Sequence, residues 1–117
     1  MGEADREREA PEGPGGRQEE RLVADFGVRV VFVDMTHACA GRLRDVSASG
    51  GRVAIEGGAK APRDIYLLAR LPGEAEPRRM VAKVRWQVGE TLGVRFDPPL
   101  APALVYALAG LDGPPSN

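Results

Sequence analysis

Hydrophobic and polar residues alternate in six short segments of the chain, and a period of two is typical of β-strands. In the clearest segment, Met80–Val88, the residues Ala82, Val84, Trp86 and Val88 share one side. Three of the four residues on the other side are charged or carry an amide. The pattern therefore predicts a strand whose Trp86 side faces the core.

The other five segments are β-branched or alternating stretches bounded by glycine, proline and serine, which favour turns. Their predicted limits are Val28–Asp34, Arg42–Val46, Arg52–Glu56, Asp64–Leu71 and Thr91–Asp97. Gly89-Glu90 is predicted to form a tight hairpin turn between the last two strands.

A single helix is predicted after the strands. Pro102 suits a first helical position, Leu104, Val105 and Leu108 form an apolar stripe, and Gly110 suits the stop. Six short strands in a small chain close most economically into a barrel, because closure removes exposed strand edges. The expected fold class is all-β: a six-stranded antiparallel β-barrel with a short C-terminal helix and a disordered N-terminal tail.

The ends of the chain differ in composition from its middle. Residues 1–16 are acidic and rich in glycine and proline, which predicts a disordered tail. The barrel and helix are expected over 17–111, and 112–117 are expected to be a flexible tail. The net charge of −1 conceals an asymmetry, since residues 1–25 carry −4 and residues 26–117 carry +3.

Composition removes several classes of protein. No apolar run approaches the ~20 residues of a membrane-spanning helix, and the first residues lack the apolar stretch of a signal peptide, so a cytoplasmic protein is expected. The chain has one cysteine, Cys39, and one histidine, His37, both expected in the loop after the first strand. These two residues are too few for a metal site. Two positions apart in a small alanine-rich loop, they also lack the spatial arrangement of a Cys/His nucleophilic pair. Neither an enzyme nor a bound cofactor is expected.

Two short patterns stand out near the first two strands. Arg17 and Arg21 are four residues apart, and Asp45, Ser47 and Gly50 form Asp-x-Ser-x-x-Gly at the end of the second strand. Alone, the arginine pair is weak, because a chain with fourteen arginines produces such pairs by chance. The second pattern alone is an ordinary turn, in which Asp and Ser cap backbone N–H groups and glycine takes a positive φ.

Together and in this order, the two patterns resemble the motifs of the PilZ domain family, whose members bind the bacterial second messenger cyclic di-GMP. Gly93-Val94-Arg95-Phe96 is similar to the Gly-Val-x-Phe that closes the family's last strand. The resemblance extends from about Arg17 to the terminal helix. It implies a non-enzymatic receptor with a barrel fold, and Gly16, which departs from many relatives, leaves open whether one ligand or a stacked pair binds.

The resemblance implies where the ligand binds. The planar guanidinium group of arginine can donate two parallel hydrogen bonds to a phosphate or to the O6/N7 edge of guanine, and it can also stack on a purine. Ser47 can donate to a phosphate, Asp45 can accept from guanine or orient an arginine, and the glycines let the backbone approach an anion. The expected ligand-binding residues are Arg17, Arg21, Asp45, Ser47, Gly50 and Gly51, with Arg52, Gly93 and Arg95 as auxiliaries.

The expected function is to bind cyclic di-GMP and to relay the signal to an unidentified downstream protein by conformational change. One alternative is a PilZ-fold protein–protein adaptor that does not bind the nucleotide. A second is a barrel that binds single-stranded nucleic acid, but this needs surface aromatics along a basic groove, and the six aromatics are mostly at inward positions. No DNA or RNA partner is therefore expected, and the lack of a long apolar run predicts no membrane insertion. The regulated process, the affinity and the oligomeric state stay open.

Overall fold

The computed structural model describes residues 21–34 and 37–111. Arg17 and the predicted tails 1–16 and 112–117 lie outside the described residues. The described residues form six strands and one α-helix: β1 (Leu22–Phe32), β2 (Ala38–Val46), β3 (Gly50–Ile55), β4 (Asp64–Ala69), β5 (Arg78–Val88), β6 (Thr91–Phe96) and α1 (Pro102–Leu108).

The six strands form a closed antiparallel barrel in the order β1-β2-β3-β6-β5-β4, with β4 pairing back onto β1. The predicted six-stranded antiparallel barrel with one short C-terminal helix is confirmed. Closure gives every strand two neighbours, so the barrel satisfies backbone hydrogen bonds that an open sheet would leave at its edges.

Apolar side chains from every strand meet inside the barrel. Leu43, Ile65, Leu67 and Leu92 have no exposed surface. Helix α1 adds its buried stripe to this core, and the positive φ of Gly110 follows the end of the helix as predicted. No helix among the described residues is long and apolar enough to cross a membrane.

Strand β1 begins at Leu22, six residues before its predicted start at Val28. Asp25 and Gly27 weaken the strand signal, since both residue types are depleted in strands. They occupy exposed positions, whereas Ala24 before them and Val28 after them are buried. As a result, Arg21 lies directly at the start of the barrel wall.

Strand β2 also begins earlier than predicted, so Cys39 lies in this strand and not in the preceding loop. The alanine and glycine residues at its start give little strand signal. Burial raises the pKa of the Cys39 thiol, and the charge of Glu56 raises it further while Arg29 lowers it. A raised pKa reduces the thiolate fraction at neutral pH, which is consistent with a structural cysteine.

The predicted burial of Trp86 is wrong. Trp86 is 46% exposed and Val88 is 73% exposed. Val84 pairs with Val94 but Trp86 pairs with Gly93, so Arg85 is an extra residue in β5 that has no counterpart in β6. Such a β-bulge moves the following side chains to the other face of the sheet.

Candidate functional site

Asp45 lies near the end of β2 with its side chain in the barrel wall, only 8% exposed. Its Oδ1 accepts a hydrogen bond from the backbone N–H of Arg52 at 3.1 Å. Its Oδ2 accepts from Nε of the same arginine at 2.5 Å. The Asp45 carboxylate therefore connects β2 to β3 by hydrogen bonds to both the backbone and the side chain of Arg52.

The same carboxylate also binds Arg21, whose Nη1 donates to Asp45 Oδ1 at 2.7 Å. A buried carboxylate is costly unless it is paired, and here two guanidinium groups share it. The side chains of Arg21 and Arg52 are 56% and 54% exposed. Because a guanidinium has five N–H donors, each arginine keeps donors that face outward for a ligand.

Ser47 closes the turn between β2 and β3. Its backbone N–H donates to Gly50 O at 2.8 Å, and its Oγ accepts from Gly50 N–H at 3.3 Å. The residue is only 2% exposed. In this conformation the hydroxyl shapes the turn, and the direct contact with phosphate inferred from the resemblance stays a prediction.

Gly50 and Gly51 are needed for close packing and not for a positive φ, which neither adopts. This corrects the expected reason for the motif glycine. A Cβ on Gly50 would lie 2.3 Å from Val94 O, and a Cβ on Gly51 would lie 2.3 Å from Asp45 O. Strand β3 is thus packed tightly against its two neighbours where the motif lies.

A surface groove with a volume of about 360 Å³ opens beside Gly50 and Gly51 at the start of β3. Of the predicted site residues, it brings together Arg21, Gly50, Gly51, Arg52, Gly93 and Arg95. Asp45 supports the groove through its two arginines, whereas Ser47 is not in its lining. Ser49, Arg85, Trp86 and Val94 also line it and were not predicted.

Trp86 reaches the groove because Gly93 has no side chain. A Cβ on Gly93 would lie 2.2 Å from Cε2 of the indole ring, so any larger residue would displace the ring. The pairing of these two residues follows from the bulge at Arg85, which the alternating pattern of β5 does not reveal. The groove therefore gains a half-exposed aromatic ring beside its arginines.

The charge of the groove is strongly positive. Four arginines line it, namely Arg21, Arg52, Arg85 and Arg95. Within the part of the chain that the structure describes, Arg85 and Arg95 form no ion pair. A concave surface with this charge attracts anions.

A separate, larger groove of about 820 Å³ crosses the outside of the barrel near Gly27 and Arg42. It also contains arginines, but Glu56 and Glu90 line it too, and Asp25 pairs with two of its arginines at 3.1 and 3.3 Å. None of the predicted site residues lines this larger groove. The smaller groove is the candidate site.

Nothing in the described ranges suggests a metal centre, since no three His, Cys, Asp or Glu side chains are grouped to hold an ion there. The described residues that line the candidate site supply cationic, aromatic and backbone groups. Such groups bind phosphates and flat heteroaromatic rings.

Comparison with known proteins agrees with this fold. A family model described as the PilZ domain matches residues 16–107. The chain belongs to the PilZ domain family. Members of this family generally bind cyclic di-GMP and are receptor or adaptor domains without catalytic activity.

Two solved structures share the PilZ fold with this chain. The PilZ domain of CeSA from a cellulose-synthesizing bacterium is 23% identical, with a TM-score of 0.58, over 66% of this chain and 79% of that one. The Bacillus subtilis Inhibitor of motility (MotI/DgrA) is 22% identical, with a TM-score of 0.56, over 80% of this chain and 48% of that one. A search of curated proteins gives no match.

The tight packing of Gly50 predicts that Gly50→Ala destabilises the barrel by about 1–3 kcal/mol, the usual cost of overpacking. Gly27→Ala is the matched control, because its Cβ would meet only Arg42 Nη2 at 3.7 Å. It should change the free energy of unfolding by less than about 0.5 kcal/mol. Urea unfolding measures both, and equal effects would contradict the packing argument.

The burial of Asp45 predicts that Asp45→Asn lowers the free energy of unfolding by about 1–3 kcal/mol, because charge-assisted bonds to both arginines are weakened. Asp25→Asn is the control, since Asp25 also pairs with two arginines but its side chain is 72% exposed. The Asp25→Asn substitution should lower the free energy of unfolding by less than about 1 kcal/mol. Similar losses in urea unfolding of the two variants would show that burial does not strengthen the Asp45 pairs.

Proposed function

We propose that this PilZ domain binds cyclic di-GMP in the groove of about 360 Å³ and relays its occupancy to a downstream protein in the cytoplasm, without catalysing a reaction. The observation that supports this most is that four arginines and a half-exposed tryptophan line one groove, and that Asp45 holds one of these arginines, Arg21, in place. Membership of the family indicates the class of ligand, and the arginines and the tryptophan of the groove suit that ligand.

The chemistry of the groove fits the two kinds of group in the ligand. Cyclic di-GMP has two phosphodiester charges and two guanine bases. Arg85 and Arg95, which have no ion pair among the described residues, suit the phosphates or the O6/N7 edge of guanine. The exposed face of Trp86 suits stacking against a guanine base.

Asp45 acts as a positioning residue in this proposal. It holds Arg21 and Arg52 at the groove before the ligand arrives, which reduces the entropy that binding must remove from these side chains. Gly50 and Gly51 line the groove and let β3 pack closely against its neighbours there. Ser47 contributes by closing the turn that leads into β3.

The relay follows from the position of Arg17, four residues before Arg21. We propose that Arg17 joins the ligand when it binds, which orders the segment preceding β1. Each ordered residue costs about 1–2 kcal/mol in backbone entropy, and each charge-assisted hydrogen bond returns about 1.5–3 kcal/mol. Because the entropy cost and the hydrogen-bond gain are similar in size, binding needs both Arg17 and Arg21. The segment that becomes ordered then changes the surface available to a downstream protein.

Isothermal titration calorimetry with cyclic di-GMP tests the proposal. The unmodified chain should bind with micromolar affinity, and Arg21→Ala or Arg17→Ala should weaken binding by at least about tenfold for each hydrogen bond lost. Arg70→Ala is the control, because Arg70 lines only the larger groove and should leave the affinity within about twofold. Absence of heat at several hundred micromolar ligand would reject the proposal and favour the adaptor alternative.

The stacking role of Trp86 has a separate test. Trp86→Leu should weaken binding of cyclic di-GMP by about five- to 100-fold, the range for loss of one base–aromatic stack. Trp86→Phe keeps an aromatic face and should retain most of the affinity. If the leucine and phenylalanine variants bind equally, the ring does not stack on the ligand.

A further inference from the structure

We propose that the acidic segment Glu3–Glu12 of this same chain occupies the basic groove when no ligand is bound and competes with an anionic ligand for it. The contact itself depends only on the charges of the chain, whereas its regulatory consequence rests on the proposed function. Charge complementarity, the arrangement of the acids and the reach of the chain support the proposal.

The groove has more positive charge than its own acid neutralises. Four arginines line it, and among the described residues one carboxylate, Asp45, pairs with two of them, Arg21 and Arg52. Arg85 and Arg95 are without an ion pair in the described ranges 21–34 and 37–111. The larger groove is less suitable for an acidic segment, since Glu56 and Glu90 line it and Asp25 already pairs with two of its arginines.

The acidic segment is patterned as well as charged. Four of its five acids occur at every second position, and its two arginines lie between them. In an extended chain, alternate side chains point to the same side, so these four carboxylates would face the groove while both arginines point away. The acids are Glu3, Asp5, Glu7, Glu9 and Glu12, and the arginines are Arg6 and Arg8.

The connection between the segment and the groove is short enough to make the contact intramolecular. Arg21 both lines the groove and is the first residue that the structure describes. The nine steps from Glu12 to Arg21 span at most about 30 Å when extended. They include Gly13-Pro14-Gly15-Gly16, a sequence that permits a sharp reversal of the chain.

Competition follows because the segment and the ligand would use the same cations. Arg17 lies between the acidic segment and Arg21, so a ligand that recruits Arg17 would draw the connecting residues toward itself and displace the acids. The apparent affinity for the ligand is then reduced by the fraction of molecules in which the segment occupies the groove. Added salt should weaken this competition, because exposed charges are screened.

A spin label on the segment tests the contact directly. Trp86 is the only tryptophan, so its indole N–H gives one NMR signal from the edge of the groove. A nitroxide on Ala10→Cys, in a full-length chain that carries Cys39→Ala, should broaden this signal at low salt. The broadening should be lost at about 0.5 M salt, where the Debye length falls to a few ångströms.

Two controls define the result. A label on Glu76→Cys, in the exposed loop before β5, should not broaden the signal, because about eight residues of β5, or roughly 26 Å, separate that loop from Trp86. Neutralising the five acids (E3Q, D5N, E7Q, E9Q and E12Q) should abolish the broadening caused by the label at position 10. Absence of broadening at low salt, or broadening that grows with protein concentration, would overturn the intramolecular contact.

Ligand titration tests the competition. The neutralised chain should bind cyclic di-GMP about three- to tenfold more tightly than the unmodified chain at low salt, the scale of a few exposed ion pairs. The two affinities should converge at high salt. Equal affinities at low salt would overturn the competition, whereas failure of both chains to bind would reject the proposed function and leave the label experiment to decide the contact.

Discussion

The candidate site depends on one buried carboxylate. Asp45 is enclosed in the barrel wall, where an unpaired charge would be strongly destabilising. Its partners come from the residue before β1 and from β3, so the ion pairs that stabilise this charge also join two parts of the wall. The placement of two groove arginines is therefore a consequence of how the barrel closes.

Three glycines provide the space that this arrangement requires. Gly50 and Gly51 allow β3 to pack closely against β2 and β6, and Gly93 allows the indole ring of Trp86 to pack against β6. In each case the missing Cβ matters because another atom occupies its place. The groove is thus lined by three closely packed glycines and by four long cationic side chains.

Periodicity and turn residues predicted the six strands, the Gly89-Glu90 hairpin and the helix stop, because each has a local cause in the sequence. They did not predict the first six residues of β1, where Asp25 and Gly27 reduce strand propensity but tertiary pairing with β2 overrides it. They also missed Arg85 and Trp86 as groove residues. Nor could they show that Ser47 is buried, since its burial depends on neighbouring strands.

The bulge in β5 decides on which face of the sheet Trp86 lies, and therefore whether this side chain reaches the groove. With one residue fewer before Trp86, the indole would point into the interior, and none of the other described residues that line the groove has an aromatic ring. Insertions and deletions in this strand are therefore as informative as substitutions when relatives are compared. An alignment that runs through β5 without a gap can match the tryptophan to a core residue and hide a difference in binding.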